Sequence, residues 1–379
     1  MLRPLAVCAV LAGVLLIAGP AHAEPAAGDD RWALDALNAA TAWKTSRGAG
    51  VIVAVLGDSH PDGGVRELRG RVEKGPDLST LTIGDDIPLG DRSTGLASLI
   101  AGTASGMAPE ARVLSIPVNA RPAEALADPE EDAALADSPL ARGIRFAVNS
   151  GASVICLPSS RYGINRMERD AVAYALARGA VLVAAVGDDG QSAYTRQTGT
   201  SYWRFPAGYP GVVGVAAVDR KGAKAGASSD NLSVLVAAPG AEVPAARRGG
   251  GRDTLSGTDV ASALVSGVVA LIKAKYPDIR PELVARALTS TSRPHPPAGY
   301  DDKVGFGVVD AAAALGKAGE LLEYGRSAPV DDDAHFGKGA VFRAPARPGP
   351  DPVRLWIYGI AIAAGIGGFA AGVIALTRR

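Results

Sequence analysis

Apolar residues in this chain fall into short runs separated by amphipathic stretches. Val51–Leu56, Arg112–Val118, Ala152–Leu157, Ala180–Val186 and Val212–Val218 lack the apolar–polar alternation of a half-exposed strand. Each predicts a β-strand buried on both faces. Leu140–Asn149, Arg166–Arg178 and Asp259–Tyr276 read as helices at lengths that fit between or after those strands. Strand, helix, strand in this order predicts the α/β class, with a mostly parallel sheet between helices. Such sheets carry their functional crevice at the C-terminal ends of strands. The residues after Leu56, those after Val186 and those opening the helix at Asp259 are therefore the first candidates for chemistry.

The two ends follow different patterns. Met1-Leu2-Arg3, the apolar stretch Leu5–Ala18 and Ala21-His22-Ala23 predict a secretory signal peptide over 1–23. Leu355–Leu376 contains no charged residue and is long enough to cross about 30 Å of hydrocarbon. It predicts a transmembrane helix over 353–376, with Trp356 and Tyr358 at one margin and a short tail, 377–379, bearing Arg378 and Arg379. A leader followed by one span predicts a single-pass protein of the cell membrane, its ectodomain extracytoplasmic and its C-terminus cytoplasmic. Residues 321–352, rich in Pro, Ala, Gly and Asp, predict a linker, and 24–320 one large domain.

Composition narrows the function classes. The 379 residues carry no formal net charge, so nucleic acid is not an expected partner. Two cysteines exclude a disulfide-rich scaffold and a four-cysteine zinc site. Removal of the leader leaves Cys156 alone, inside an apolar strand, where it reads as a small buried hydrophobe. Four histidines are few for a metal centre, yet one suffices for a Ser-His-Asp triad. No pattern calls for a cofactor, and structural calcium stays open.

Six segments then occur in a telling order. Trp32–Leu37 with Ala42-Trp43-Lys44 precedes the first strand. Gly106–Leu114 reads GMAPEARVL, and Ala180–Gly190 reads AVLVAAVGDDG. Phe205–Val218, Ala237-Ala238-Pro239-Gly240 and Ser256–Leu271 (SGTDVASALVSGVVAL) complete the set. In this order and spacing the chain resembles the subtilisin-like serine proteases, the subtilases. The layout of leader, subtilase domain, Pro-rich linker and single span is most like the mycosins, membrane-anchored subtilases of actinobacterial type VII secretion systems. The resemblance implies a subtilisin-like three-layer fold.

It also implies four catalytic groups, and the sequence departs at each. A subtilase Asp follows the first strand directly. Here Gly57 stands there and Asp58 comes one residue late. A one-residue shift sends a side chain to the opposite face of a strand, although a bulge at Gly57 would return it. Counting back from Leu99-Ile100-Ala101-Gly102 puts Arg92 at the family's His, and arginine stays protonated and is no general base. The oxyanion Asn is replaced by Asp188, an acceptor where a donor is needed. The nucleophilic Ser is replaced by Asp259, and a Pro four residues further on by Ala263. Asp259 also reads as an N-cap. Ser256 and Ser262 flank it on other helix faces. Of the remaining histidines only His60 is near enough to matter, and an ordinary surface role suits it as well as His295 and His335.

The expectation is a pseudoprotease: a membrane-anchored shell serving as a scaffold or peptide-binding module, with secretion-system components or an extended peptide as partners. The alternative is an active serine endopeptidase or a carboxylate-based hydrolase with a rearranged site. Because the family's His and Ser lie within hydrogen-bond reach, two arrangements are open: Arg92 and Asp259 pair within about 4 Å, with Asp188 as a second acceptor, or each side chain points to water.

Overall fold

Alternate residues of the central strands feed two separate cores. A computed structural model describes residues 29–79, 89–119, 138–324 and 352–378. The expected leader, most of the expected linker and His335 lie outside the described residues. The chain divides into two units, Met1–Gly325 and Arg326–Arg379.

In the first unit, α1 (Trp32–Ala36) and α2 (Ala39–Ala42) precede β1 (Ile52–Val55). Then come β2 (Val72–Lys74), α3 (Leu89–Ala101), β3 (Arg112–Ser115), α4 (Pro139–Asn149) and β4 (Val154–Leu157). They are followed by α5 (Arg166–Ala177), β5 (Val181–Ala185), α6 (Ala193–Thr198), β6 (Val213–Val218) and β7 (Val236–Pro239). The hairpin β8 (Val243–Ala246) and β9 (Arg252–Leu255) leads to α7 (Thr258–Lys275), α8 (Pro281–Thr291) and α9 (Ala311–Tyr324).

The main sheet has the order β2-β3-β1-β4-β5-β6-β7. Every neighbouring pair is parallel. Val53, Val55, Val154, Cys156, Val183 and Val215 face a core built with α3, α7, α8 and α9. Ala54, Leu56, Ile155, Leu157, Leu182 and Ala216 face a second core built with α4 and α5. The two-residue period of a strand makes this division, and it gives the expected subtilisin-like three-layer arrangement.

The helix α7 is buried from Thr258 to Lys273, as a helix apolar on all sides must be. Lys273 is satisfied there by donating from Nζ to the carbonyls of Pro277 and Ile279. This central packing fixes the N-terminal end of α7 beside the strand ends.

Two expectations shift. The helix α9 continues through Tyr324, so 321–324 are helical and not linker, because Leu321 and Leu322 pack against the first core. The strand β1 ends at Val55, three residues before Asp58, so its alternation does not turn Asp58 away as expected. In the second unit, α10 (Pro352–Thr377) is long and apolar enough to cross a membrane.

Candidate functional site

The C-terminal ends of β1, β4 and β5 and the N-terminal end of α7 enclose a crevice of about 340 Å³. Its lining consists of Asp58, Arg92, Pro158, Ser159, Ser160, Asp188, Asp189, Arg204 and Asp259. Four carboxylates and two guanidiniums thus share one concavity, and no imidazole is among them.

Arg92 projects from α3 and Asp259 from the first turn of α7, 167 residues later. They meet bidentately: Arg92 Nε donates to Asp259 Oδ2 and Nη2 to Oδ1, both at 2.6 Å. Nη2 also donates to the Ser256 carbonyl at 2.8 Å. Of the two arrangements left open by the sequence, the pairing is the one present. The hydrogen bond to Asp259 pushes the Arg92 guanidinium further above its ordinary range, against the effect of burial; the charges of Asp259, Asp188 and Asp58 add to it. The Asp259 side chain is 11% exposed and that of Arg92 45%, so the pair is buried at its anionic end and solvated at its cationic one.

Gly257 makes this approach possible. Its φ is +145°, and a Cβ there would lie 2.4 Å from Asp259 Oδ1 and 2.7 Å from Arg92 Nη2. Gly257, and not Asp259, is the N-cap of α7. Asp259 is the second helical residue, and its Oδ1 accepts from the Val260 N–H at 2.9 Å, where a carboxylate also complements the helix dipole.

Asp188 does not accept from Arg92 as that arrangement had it. Its Oδ1 takes the Thr258 N–H at 3.0 Å instead. Burial of the carboxyl raises its pKa above the ordinary aspartate range; the Thr258 N–H opposes this, the Asp259 charge adds to it and Arg92 opposes it. A carboxylate raised in the folded state stabilises most below its unfolded pKa and loses that contribution as pH rises through the folded one. Asp188→Asn keeps an acceptor for Thr258 and removes the loss. Because Asp188 is solvent-exposed as a residue, screening limits the expected gain to roughly 0.5 kcal/mol at pH 7, vanishing below about pH 4. Denaturant melts of both proteins across that range check this.

Asp58 lines the same crevice. Its Oδ1 accepts from Ser159 Oγ at 3.2 Å and its carbonyl from Asn119 Nδ2 at 2.7 Å. No bulge glycine is needed, since Gly57 lies outside the left-handed region and the strand has already ended. His60 points elsewhere: its Nδ1 lies 3.1 Å from Ser115 Oγ, and burial, with Lys74 nearby, holds its pKa below the ordinary imidazole value. His295 Nδ1 lies 3.0 Å from the Phe306 carbonyl. Cys156 is fully buried, and burial pushes its thiol up to about 11, the opposite of a reactive thiolate.

A second pair escaped the sequence reading. Arg204 pairs with Asp189 through Nε and, at 2.7 Å, through Nη2 to Oδ1. Its Nη1 donates to the Ser160 carbonyl at 3.2 Å. That hydrogen bond to Arg204 holds the Asp189 carboxyl below its ordinary range. Nothing in the spacing of residues 189 and 204 marks them as partners. Among the described residues, no cluster of His, Cys, Asp and Glu is placed to hold a metal ion.

Comparison with known proteins accounts for this architecture. The family model of the subtilases matches residues 93–307. The chain belongs to the subtilase family. Mycosin-1 of Mycolicibacterium smegmatis is 31% identical over 399 residues, spanning 93% of this chain and 85% of that protein. Fervidolysin of Fervidobacterium pennivorans is also 31% identical, but this chain spans only 44% of its length. The crystal structure of MycP1 from the ESX-1 type VII secretion system superposes with a TM-score of 0.62 at 29% identity, over 75% of this chain and 85% of that one. The chain is accordingly a mycosin-like subtilase, related to type VII secretion proteases.

Proposed function

We propose that this protein is a catalytically inactive subtilase, anchored by α10 with its body extracytoplasmic, that serves a type VII secretion system as a scaffold or peptide-binding module. The observation that carries the proposal is the Arg92–Asp259 pair. An arginine and an aspartate occupy the positions where the family resemblance calls for the general base and the nucleophile, and they are bound to one another. Mycosin relatives supply the secretion context, and a cleaved leader at 1–23 would supply the orientation. A subtilase crevice needs no catalytic group to hold an extended peptide, because strand-like backbone pairing gives affinity without cleavage.

The crevice does hold hydroxyls, and Ser159 already donates to Asp58. The full chain is therefore to be assayed for peptide hydrolysis beside Asp259→Ala and Ser159→Ala. No product from any of the three is expected. Turnover by the unmodified protein that either substitution abolishes would replace this reading with that of a rearranged hydrolase.

A further inference from the structure

Among the described residues of the body, most of the large apolar side chains left in solvent are carried by three neighbouring loops beside the crevice. Tyr162, Ile164, Tyr202, Trp203 and Leu232 are 54%, 65%, 53%, 47% and 68% exposed. Hydrogen bonds to the backbone set the three loops side by side. Arg161 and Phe205 exchange backbone hydrogen bonds at 2.9 and 2.8 Å, which sets the first loop against the second. Asn231 Nδ2 donates to the Tyr202 carbonyl at 3.1 Å and adds the third.

The rings are ordered by one another. Tyr162 and Tyr202 meet edge to face with centroids 6.1 Å apart, and Tyr194 stacks on Tyr202 at 3.7 Å. Arg204, which lines the crevice, lies 4.1 Å from the centre of the Tyr162 ring and donates from Nη2 to its hydroxyl at 3.0 Å. The aromatic face is thus continuous with the crevice. The two steps keep Tyr202 within roughly 10 Å of the Arg204 guanidinium, about three residues of extended chain.

The crevice adds a second requirement. Arg92 and Arg204 each satisfy one carboxylate, Asp259 and Asp189. Asp58 and Asp188 are held by neutral donors, Ser159 and the Thr258 N–H. The lining keeps a surplus of negative charge beside an apolar face.

Building on the peptide-binding reading, we propose that this combined surface recognises an extended peptide segment carrying an aromatic or large apolar residue and, a few positions away, a Lys or Arg. The apolar side chain lies on Tyr162, Tyr202 and Trp203, and the cation enters beside Asp58 and Asp188. Exposed aromatic side chains gain most from a partner that excludes water, and rings already locked in place lose little entropy on binding. The cation meets carboxylates that no guanidinium already holds bidentately.

The test uses the detergent-solubilised full chain and four fluorescein-labelled decapeptides on one Gly/Ser frame: Phe and Lys three apart, Phe alone, Lys alone, and neither. Anisotropy is expected to give the Phe/Lys peptide an affinity at least about tenfold above either single-feature peptide. Ile164→Ser and Trp203→Ala should remove the Phe-dependent part, and Asp58→Asn the Lys-dependent part. Binding should also shift the Trp emission, and Trp203→Phe, a mild change for folding, should abolish that shift. Equal binding of all four peptides, or binding of none, overturns the proposal. So does concentration-dependent self-association lost in Trp203→Ala, which would assign the face to a second copy. Mass spectrometry of the recovered peptides separates the two claims. Cleaved peptide rejects the inactive reading and leaves the recognition pattern to the anisotropy. Intact peptide without discrimination rejects the recognition pattern alone.

Discussion

A fluorophosphonate probe is expected to leave the full chain unlabelled, and peptide turnover should stay about 10⁶-fold below that of an intact Ser-His-Asp site. Arg92 gives Nε and Nη2 to Asp259, and that bond pushes its pKa further up, so it takes no proton from a hydroxyl. Among the described residues no histidine lines the crevice; His60 lies against Ser115. Asp188 presents acceptors toward a developing oxyanion and also occupies the Thr258 N–H. Loss of one oxyanion donor alone costs about 10²–10³ in rate. Any residual hydrolysis should lack an inflection near the ordinary imidazole pKa of about 6.5, since no histidine is among the described residues that line the crevice. In-gel fluorescence after labelling and a pH–rate profile measure both. Covalent labelling at Ser159 or Ser160 would reject the prediction.

Arg92→Met is expected to lower the unfolding free energy by about 2 kcal/mol at neutral pH, between the 3–5 kcal/mol of a buried pair that loses one partner and the 0–1 kcal/mol of an exposed pair. The intermediate value reflects an asymmetric pair: the Asp259 side chain is 11% exposed and that of Arg92 45%. Removing the cation strands the buried partner beside Asp188. Asp259→Asn strands only a guanidinium able to turn to water, and keeps an acceptor for the Val260 N–H. Its cost should be smaller, roughly 0.5–1 kcal/mol. The double variant should recover much of the loss of Arg92→Met, leaving a coupling energy above about 1 kcal/mol in the cycle. Denaturant melts of the detergent-solubilised chain, followed by tryptophan emission, give the four values. Additive single costs would mean that the two side chains do not support one another in solution.

Five strands of the main sheet were legible from their apolar runs, whereas β7, equally buried, and the buried hairpin strand β8 were not read as strands. Val51–Leu56 and Ala180–Val186 leave no polar residue to blur the signal, and β1 and β5 lie within them. Strands without an apolar run were not legible. The edge strand β2 reads Val-Glu-Lys and is partly solvated, and β9 reads Arg-Asp-Thr-Leu beside a single partner. Such segments are strands because of what they pair with, a long-range property absent from local periodicity.

The site divides in the same way. The identities of Gly57, Arg92, Asp188 and Asp259 were read from strings of fixed spacing, because the family motifs are local in sequence. The consequences of those identities were tertiary. Asp188 was a candidate acceptor for Arg92 and is on Thr258, a choice made by the geometry of the α7 N-terminus. Asp58 reaches the crevice because β1 stops at Val55 and its alternation no longer governs the chain.

By itself, then, the sequence determined the alternation of buried strands and helices, an apolar segment of membrane-spanning length, and which residues stand at the family's catalytic positions. Those are properties of composition and short-range order. Only the tertiary structure decided that Arg92 and Asp259 bind bidentately, that Arg204 joins Asp189 across a loop, and that Tyr162, Tyr194 and Tyr202 pack into one aromatic cluster beside Arg204. Charge and aromatic contacts act over a few ångströms between residues distant in the chain, and packing of α7 against the sheet is what brings Asp259 to that range of Arg92.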